Sequence, residues 1–466
     1  MIRPDTNLTP KDLLPRIGRM WELSAAKVRA IDADFQPGSP TPVFTVEGKY
    51  SPQGWTEWTE GFQHGSAALQ FDATDDRIFL DLARERTRQA MASHVTHVGV
   101  HDHGFNNVST YGNLLRLARE GRFAAHEYEH AFYDIALKAS GAVQASRWAK
   151  TTDGTGYIYS FNGPQSLFVD TIRSCRALAW SHMLGHSLMG ERDESINLLG
   201  RIVEHARNTA RYNIYYGEGR DIYDIRGRAA HESLFNTNNG DYRAPSTQQG
   251  YSAFSTWTRG LAWAMCGFPE QLEFLATRSD EELAPFGGRD EIEAFLLKAA
   301  EATCNFYLEH TPTCGIPYWD TGAPRLHELG DYLDRPAEPY NDIEPVDSSA
   351  AAIGAQGLIR LALLLDERGR RQDAQKYMAA GLHTLSTLLN EPYLSTDASH
   401  QGLLLHAVYH HPRGWDHIRK GRKIPCDESC MWGDYHLREL ALLAQRMAEG
   451  KPMLKFFAEQ SEAVRA

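Results

Sequence analysis

Two histidines and an aspartate stand side by side in a glycine-containing turn. The segment 97–107 reads His-Val-Gly-Val-His-Asp-His-Gly-Phe-Asn-Asn and places Asp102 between His101 and His103. One interpretation is a catalytic carboxylate whose ionisation is set by its neighbours. A second makes His101 and His103 an H-x-H metal pair at the end of a strand. A third is a polar turn with satisfied histidines, and the spacing alone leaves all three open.

A second carboxylate, Asp170, opens a predicted helix. Helical geometry puts it about 200° from that helix's buried stripe, beside the small residues Ser174, Ala177 and Ser181. In the inner layer of a double ring of helices, such a face would look into a central cavity. The alternative is an acidic residue that only favours a helix N-terminus. The buried stripe consists of Phe168, Ile172, Cys175 and Ala179.

The stretch 247–263 combines an arginine with tryptophans at helical spacing. Ser255 or Thr256 would cap a helix that begins near Trp257. Arg259 and Trp263 are then i, i+4 neighbours on its first turns. A guanidinium beside an indole near a positive helix end suits a ring that carries a carboxylate, whereas core packing explains the tryptophans more readily than the arginine. The loop before this helix also carries His231, Tyr242 and Tyr251.

Helical periodicity dominates the 466 residues. Strand-like pieces are short (43–46, 96–100 and 156–161), and no regular strand–helix alternation is present, which disfavours a parallel sheet or a β/α barrel. The candidate helices are 11–31, 57–72, 76–95, 111–121, 124–139, 168–187, 192–212, 256–277, 289–309, 348–366, 370–390, 402–410 and 432–449.

This pattern predicts an all-α chain of about twelve paired helices closed into one toroid. The four longest irregular stretches (141–167, 213–255, 310–347 and 411–431) each follow a helix, and long loops of this kind are more often functional than idle. In an α/α barrel they gather at one end of the ring and form the site. We therefore expect a single catalytic domain over 1–466, with 1–50 as an N-terminal extension packed on it.

The overall charge narrows the class of ligand. The formal net charge is −12, which disfavours nucleic acid and anionic membrane surfaces as partners. An acidic ligand is therefore expected to be small and bound locally. The first twenty residues contain no apolar signal core, so we expect a cytoplasmic protein. Six cysteines in a chain of this length are too few for a disulfide scaffold, and we expect them to be reduced: Cys175, Cys266, Cys304, Cys314, Cys426 and Cys430.

The order and spacing of the motifs in this sequence resemble those of the unsaturated glucuronyl hydrolases, glycoside hydrolase family 88, and the related unsaturated rhamnogalacturonyl hydrolases. The resemblance runs from about Trp58 to Leu440, and its strength lies in the order and spacing of the motifs. The matching positions are 58–62, 101–105, Asp170, His231, Gln249, 257–263, 317–320, 347–352 and 432–435.

The resemblance implies an (α/α)6 barrel, a double toroid with long site-forming loops. It also implies a glycosidase that removes the terminal Δ4,5-unsaturated uronic acid from lyase-generated oligosaccharides, without a cofactor or metal. Asp170 is then the general acid/base, and Asp102 is the second carboxylate that orients and tunes it. The implied substrate-binding residues are His231, Thr247, Gln249, Trp257, Arg259, Trp263 and Ser348.

Two other functions and one assembly are also compatible with the sequence. A sugar epimerase on the same toroid and an H-x-H metal-dependent hydrolase are the competing functions, and a homo-oligomer is one assembly open to the chain.

Two departures from the family pattern leave the exact sugar, linkage and sulfation undetermined. Gln63-His64 stands where an aromatic is usual in the second helix, and Tyr157 and Tyr159 stand where a tryptophan is common before Asp170.

Overall fold

Twelve long helices make up most of the computed structural model, which describes residues 1–54 and 57–455. Two of them are composite: the helix over 103–119 contains a π-helical turn at Val108–Gly112, and the helix over 171–183 is interrupted at Cys175. The helices are α1 (Pro10–Asp34), α2 (Glu60–Thr74), α3 (Arg77–Ala90), α4 (103–119), α5 (Glu127–Ser146), α6 (171–183), α7 (Leu198–Tyr212), α8 (Thr258–Leu275), α9 (Arg289–His310), α10 (Ser348–Glu367), α11 (Arg371–Leu388) and α12 (Met431–Ala448). Single short helices lie at Ala92–Val95 and Asp280–Leu283.

The helices form two concentric rings. Each even-numbered helix contacts the next even-numbered one, from α2 through α12 and back to α2, so these six close an inner ring. Each odd-numbered helix packs outside it: α3 on α2, α5 and α7 on α6, α9 on α8, α11 on α10, and α1 on α12. The predicted (α/α)6 barrel is confirmed. Helix α1, in the stretch expected as an N-terminal extension, is one of the six outer helices.

Burial explains which helices lie inside. Every residue of α8 is buried, whereas α7 is amphipathic and turns a charged face to solvent. Helix α10 is long and apolar enough by composition to cross a membrane, but 94% of its apolar window is covered by the barrel, as befits an inner-ring helix. All six cysteines are free thiols, as predicted.

A fully buried ionic network connects helices of the inner ring. Arg173 of α6 donates to Glu270 of α8 (3.1 Å) and to Glu439 of α12 (2.7 Å), and its guanidinium stacks over the ring of Trp263. Arg360 of α10 pairs with the carboxylate of Glu273, also on α8. Separating these charges would leave buried ions without partners, so the network holds the inner helices together.

The strands are short and lie in the loops. The three-stranded sheet β5–β8–β9 joins the segment before Asp170 to the loop that carries His231, with Phe168 paired to Glu232. The strands are β1 (Pro42–Val46), β2 (Lys49–Pro52), β3 (Trp148–Lys150), β4 (Gly156–Ile158), β5 (Ser166–Phe168), β6 (Leu188–Met189), β7 (Ser195–Ile196), β8 (Glu232–Phe235) and β9 (Tyr242–Ser246). All pairings among them are antiparallel.

Five local predictions were wrong. The apolar run 402–410 is a buried loop rather than a helix, because the Asp434 carboxylate accepts the N–H groups of Leu403 and Leu404 (2.8–2.9 Å) and His406 has a positive φ of 64°. The segment 96–100 contains no strand, since it has no neighbouring strand and its Val98 carbonyl accepts from Arg147 instead. Helix α4 begins at His103, eight residues before the predicted start. Helix α7 begins at Leu198, six residues after its predicted start, and α5 ends at Ser146, seven residues after its predicted end.

Candidate active site

The cavity lies where inner-ring helices begin. It has a volume of about 280 Å³, and its wall includes Trp58 just before α2, Asp102 before α4, Asp170 before α6 and Trp257 at the cap position of α8. Because helix N-termini carry partial positive charge, this end of the barrel favours a small anion even though the whole chain is acidic. Six of the predicted site residues line the cavity: Asp102, Asp170, Gln249, Trp257, Arg259 and Trp263.

One imidazole bridges the two predicted catalytic carboxylates. His101 Nε2 lies 3.3 Å from Asp170 Oδ1 and 3.7 Å from Asp102 Oδ1. All three side chains are buried, and the imidazole also packs against Phe161 and Phe168. Two turns that are remote in sequence therefore bring together one proton-sharing group of three side chains.

The pKa values of the two carboxyl groups are shifted in opposite directions. Burial raises the pKa of Asp102, and the charge of Asp170 raises it further. Burial also raises the pKa of Asp170, but the hydrogen bond and charge of His101 outweigh it, so the net shift is downward. The His101 pKa is raised on balance, because the two carboxylates outweigh its burial. Of the two carboxyl groups, Asp102 therefore has the raised pKa and Asp170 the lowered one.

The neighbouring histidine points elsewhere. His103 Nδ1 lies 3.0 Å from Ser140 Oγ, and its Nε2 lies 3.0 Å from the His97 carbonyl, while His101 turns toward Asp170. Burial lowers the pKa of His103 to about 4. The two histidines therefore do not converge as an H-x-H chelate. Within the ranges 1–54 and 57–455 no group of three or more His, Cys, Asp or Glu side chains is arranged to hold a metal ion.

Arg259 is buried, and its hydrogen bonds go to the protein. One terminal nitrogen donates to Asp347 Oδ2 (3.1 Å) and to the Val408 carbonyl, and the other to Gln249 Oε1 (2.6 Å) and the Tyr409 carbonyl (2.7 Å). The guanidinium also stacks on Trp257, with 4.5 Å to the ring centroid. The predicted arginine at a carboxylate site thus lines the cavity, but four of its five N–H groups are already committed.

His231 supports the loop that carries Gln249. Its Nδ1 accepts the N–H groups of Gln248 (3.1 Å) and Gln249 (3.3 Å) and lies 3.5 Å from Thr247 Oγ1. Its ring packs between Phe168 and Trp257, at 4.5 Å from each centroid. Burial lowers the pKa of His231 to about 3, so the neutral ring can keep accepting these bonds at neutral pH. His231 and Thr247 thus stand behind the cavity wall.

Other predicted positions lie farther from the cavity. Ser348 donates from Oγ to the Leu405 carbonyl (2.7 Å) at the start of α10 and does not line the cavity. Tyr242 packs on Tyr212, and Tyr251 is exposed. The predicted cap of α8 is displaced by one or two residues, because Trp257 holds the cap position.

Sequence reasoning missed the wall formed by residues 409–415. Tyr409, His410, Arg413 and Trp415 all line the cavity. Tyr409 and His410 were assigned to the helix predicted at 402–410, which hid them. The Pro412-Arg413-Gly414 turn beside histidines and a tryptophan was the available signal for a binding loop. Phe161 is a further cavity aromatic that carried no motif.

Known proteins of similar sequence and structure point to one family, although no family model matches the chain. It is 26% identical over 414 residues to an unsaturated glucuronyl hydrolase of Bacillus sp. (strain GL1), covering 86% of this chain and 90% of that protein. It is 25% identical over 455 residues to an unsaturated chondroitin disaccharide hydrolase of Streptococcus pyogenes serotype M1, covering 95% and 94%. The chain is a homologue of the unsaturated glucuronyl hydrolases. The predicted resemblance is confirmed.

The fold agrees with that relationship. A crystal structure of the unsaturated glucuronyl hydrolase of Bacillus sp. GL1 superimposes with a TM-score of 0.68 at 22% identity, covering 96% of this chain and 99% of that one. The chain therefore shares the whole barrel with the unsaturated glucuronyl hydrolases rather than a fragment of it.

The two departures from the unsaturated glucuronyl hydrolase pattern lie outside the cavity. Gln63 and His64 are buried between α2 and α1, where Gln63 donates to the Phe35 carbonyl (3.3 Å). Tyr157 is fully buried in β4, and Tyr159 lies under the Arg147 guanidinium. The aromatic that reaches the cavity from this loop is Phe161. The group of Asp102, His101 and Asp170 therefore does not contact either departure.

Proposed function

We propose that this protein is a glycoside hydrolase that removes a terminal Δ4,5-unsaturated uronic acid from oligosaccharides left by polysaccharide lyases. The observation that carries the proposal is the group of Asp102, His101 and Asp170 on the wall of a small cavity that favours anions. The names of the relatives, unsaturated glucuronyl hydrolase and unsaturated chondroitin disaccharide hydrolase, support the same chemistry. The ligand is then a small uronate-containing oligosaccharide.

The substrate explains why a proton-sharing group is needed. Its C4=C5 double bond is a vinyl ether conjugated to the carboxylate, and protonation at C4 produces an oxocarbenium-like cation at C5. A carboxyl group delivers that proton and then, as carboxylate, takes a proton from the water that adds at C5. The resulting hemiketal opens to a ketone, and the hemiacetal left at C1 releases the aglycone. One water is consumed, and the acid is regenerated.

His101 gives this cycle a proton store. The pKa of Asp170 is lowered and that of His101 is raised, which favours placing the proton of this contact on the imidazole. Transfer of that proton makes Asp170 the acid. Binding of an anionic sugar and exclusion of water both favour the transfer, since each disfavours a charged carboxylate. Asp102 lies 3.7 Å from the same nitrogen, and its negative charge also favours the protonated form of His101.

A panel of lyase-generated unsaturated disaccharides tests the proposal. We expect purified protein to abolish the ultraviolet absorbance of the conjugated double bond, with release of the aglycone sugar seen by mass spectrometry. The same incubations with free saturated sugars distinguish an epimerase, which would interconvert them without touching the unsaturated disaccharides. No loss of absorbance on any member of the panel, from a folded protein, would overturn the proposed function.

A further inference from the structure

Asp347 connects a helix cap to the substrate-facing wall. We propose that Asp347 is a positioning residue: acting through Arg259, it fixes the side-chain amide of Gln249 so that the Gln249 Nε2 group faces the carboxylate of the bound sugar. The inference rests on the proposed function and specifies how that site reads the acid.

The two oxygens of Asp347 do different work. Oδ1 caps α10 by accepting from the N–H and Oγ of Ser349 (3.0 and 2.5 Å), while Oδ2 accepts from Arg259 (3.1 Å). Both Asp347 and Arg259 are buried, at 0% and 1% exposure. A buried cation needs a partner of opposite charge, and Asp347 is the carboxylate in contact with this guanidinium.

The contact between Arg259 and Gln249 settles which way the amide points. Arginine has donors and no acceptor, so the atom of Gln249 that lies 2.6 Å from the guanidinium must be the amide oxygen. The Nε2 group then lies on the other side of the amide. Gln249 lines the cavity, and within the described residues no acceptor contacts this NH₂ group. It is therefore available as a neutral two-proton donor.

Committed donors leave Arg259 little capacity of its own. Its terminal nitrogens also hold the carbonyls of Val408 and Tyr409, so the same side chain fixes the loop that carries Tyr409 and His410 into the cavity. Only the Nε–H remains for a ligand. Much of the recognition of the sugar carboxylate therefore passes to Gln249, and its accuracy depends on Asp347 keeping Arg259 in place.

The Asp347→Asn variant tests the inference, because asparagine is an equally good helix cap but removes the charge that holds Arg259. The matched control is Asp76→Asn, which changes the cap of α3 on the outer ring. Each protein is assayed on one unsaturated disaccharide and on its uronate methyl ester, with circular dichroism to verify folding. We expect the acid-to-ester ratio of kcat/KM to fall about tenfold in Asp347→Asn and to stay unchanged in Asp76→Asn.

A double-mutant cycle shows whether Asp347 acts through Gln249. In a Gln249→Ala background, Asp347→Asn should lower the acid-to-ester ratio of kcat/KM by less than about twofold further, because the donor that Asp347 positions is absent. Equal losses on acid and ester, or the same fold-loss in both backgrounds, would overturn the inference while leaving the proposed function intact. Wild-type protein with no turnover would overturn both. If Asp347→Asn fails to fold, Arg259→Lys, which keeps the charge but loses the fork, should give the same fall in the ratio.

Discussion

The Nε2 atom of His101 lies 3.3 Å from the Oδ1 atom of Asp170, within hydrogen-bonding distance. The two residues come from different inner-helix starts, and the contact allows a proton to pass between the imidazole and the carboxylate. Asp102 Oδ1 lies 3.7 Å from the same nitrogen. The acid of this site is therefore a property of three side chains, and its titration should be measured as that of a coupled group.

Asp170→Asn should abolish turnover while leaving the fold intact. An amide cannot donate and recover the proton, and general acid–base catalysis is typically worth about 10²–10⁴-fold in rate. The measurement is steady-state kinetics on an unsaturated disaccharide, alongside circular dichroism. A folded variant that keeps more than about half of the wild-type rate would remove Asp170 from the mechanism.

Asp102→Asn should lower the rate and move the alkaline limb of the pH–rate profile to lower pH. The charge of Asp102 is the largest contribution that raises the pKa of His101, so its removal lets the imidazolium lose its proton earlier as the pH rises. The profile of kcat/KM against pH reports this shift directly. A profile that coincides with wild type, at wild-type rate, would return Asp102 to a structural role in the turn.

The same substitution should stabilise the protein near neutrality. Because burial raises the pKa of Asp102 above its ordinary value of 3.8, the folded state binds this proton more tightly than the unfolded chain. The contribution is therefore fully present below pH 3.8 and is lost as the pH rises through the folded pKa. We expect Asp102→Asn to have the higher Tm at neutral pH and the difference to shrink on acidification. A difference that grew in acid would contradict this assignment.

Glu439→Gln should destabilise the barrel by about 3–5 kcal/mol, because it removes one of the two buried carboxylates that pair with Arg173 and leaves the buried network one negative charge short. Glu439 is fully buried and accepts from Arg173 at 2.7 Å. Urea unfolding followed by circular dichroism measures the free energy. Glu291→Gln, which breaks an exposed pair with Arg207 on the outer ring, is the control and should unfold as wild type does.

The ring architecture could be predicted because apolar residues recur at helical spacing within each helix and the loops between helices are polar. The prediction failed where tertiary contacts override a local pattern. Residues 402–410 look like an apolar helix, but the Asp434 carboxylate binds their backbone from another helix. Segment 96–100 is β-branched enough to suggest a strand, yet it has no strand beside it. Neither partner is visible in the local sequence.

Sequence motifs located the two carboxylates and the aromatic wall, but they could not give the hydrogen-bond partners. Arg259 was expected to face the ligand, and its commitment to Asp347 and Gln249 follows only from packing. Ser348 was selected from a motif whose neighbouring residue, Asp347, makes the contact with the cavity wall. The pKa order of Asp102 and Asp170 likewise depends on where one imidazole lies.

The most direct test of the account compares two disaccharides that differ only in the C4=C5 double bond of the terminal uronic acid. Hydration at C5 requires that bond, whereas displacement at C1 does not. The account predicts that the wild-type protein releases the aglycone from the unsaturated disaccharide and leaves the saturated one intact, and that Asp170→Asn releases neither. Aglycone release from the saturated disaccharide at a comparable rate would contradict it.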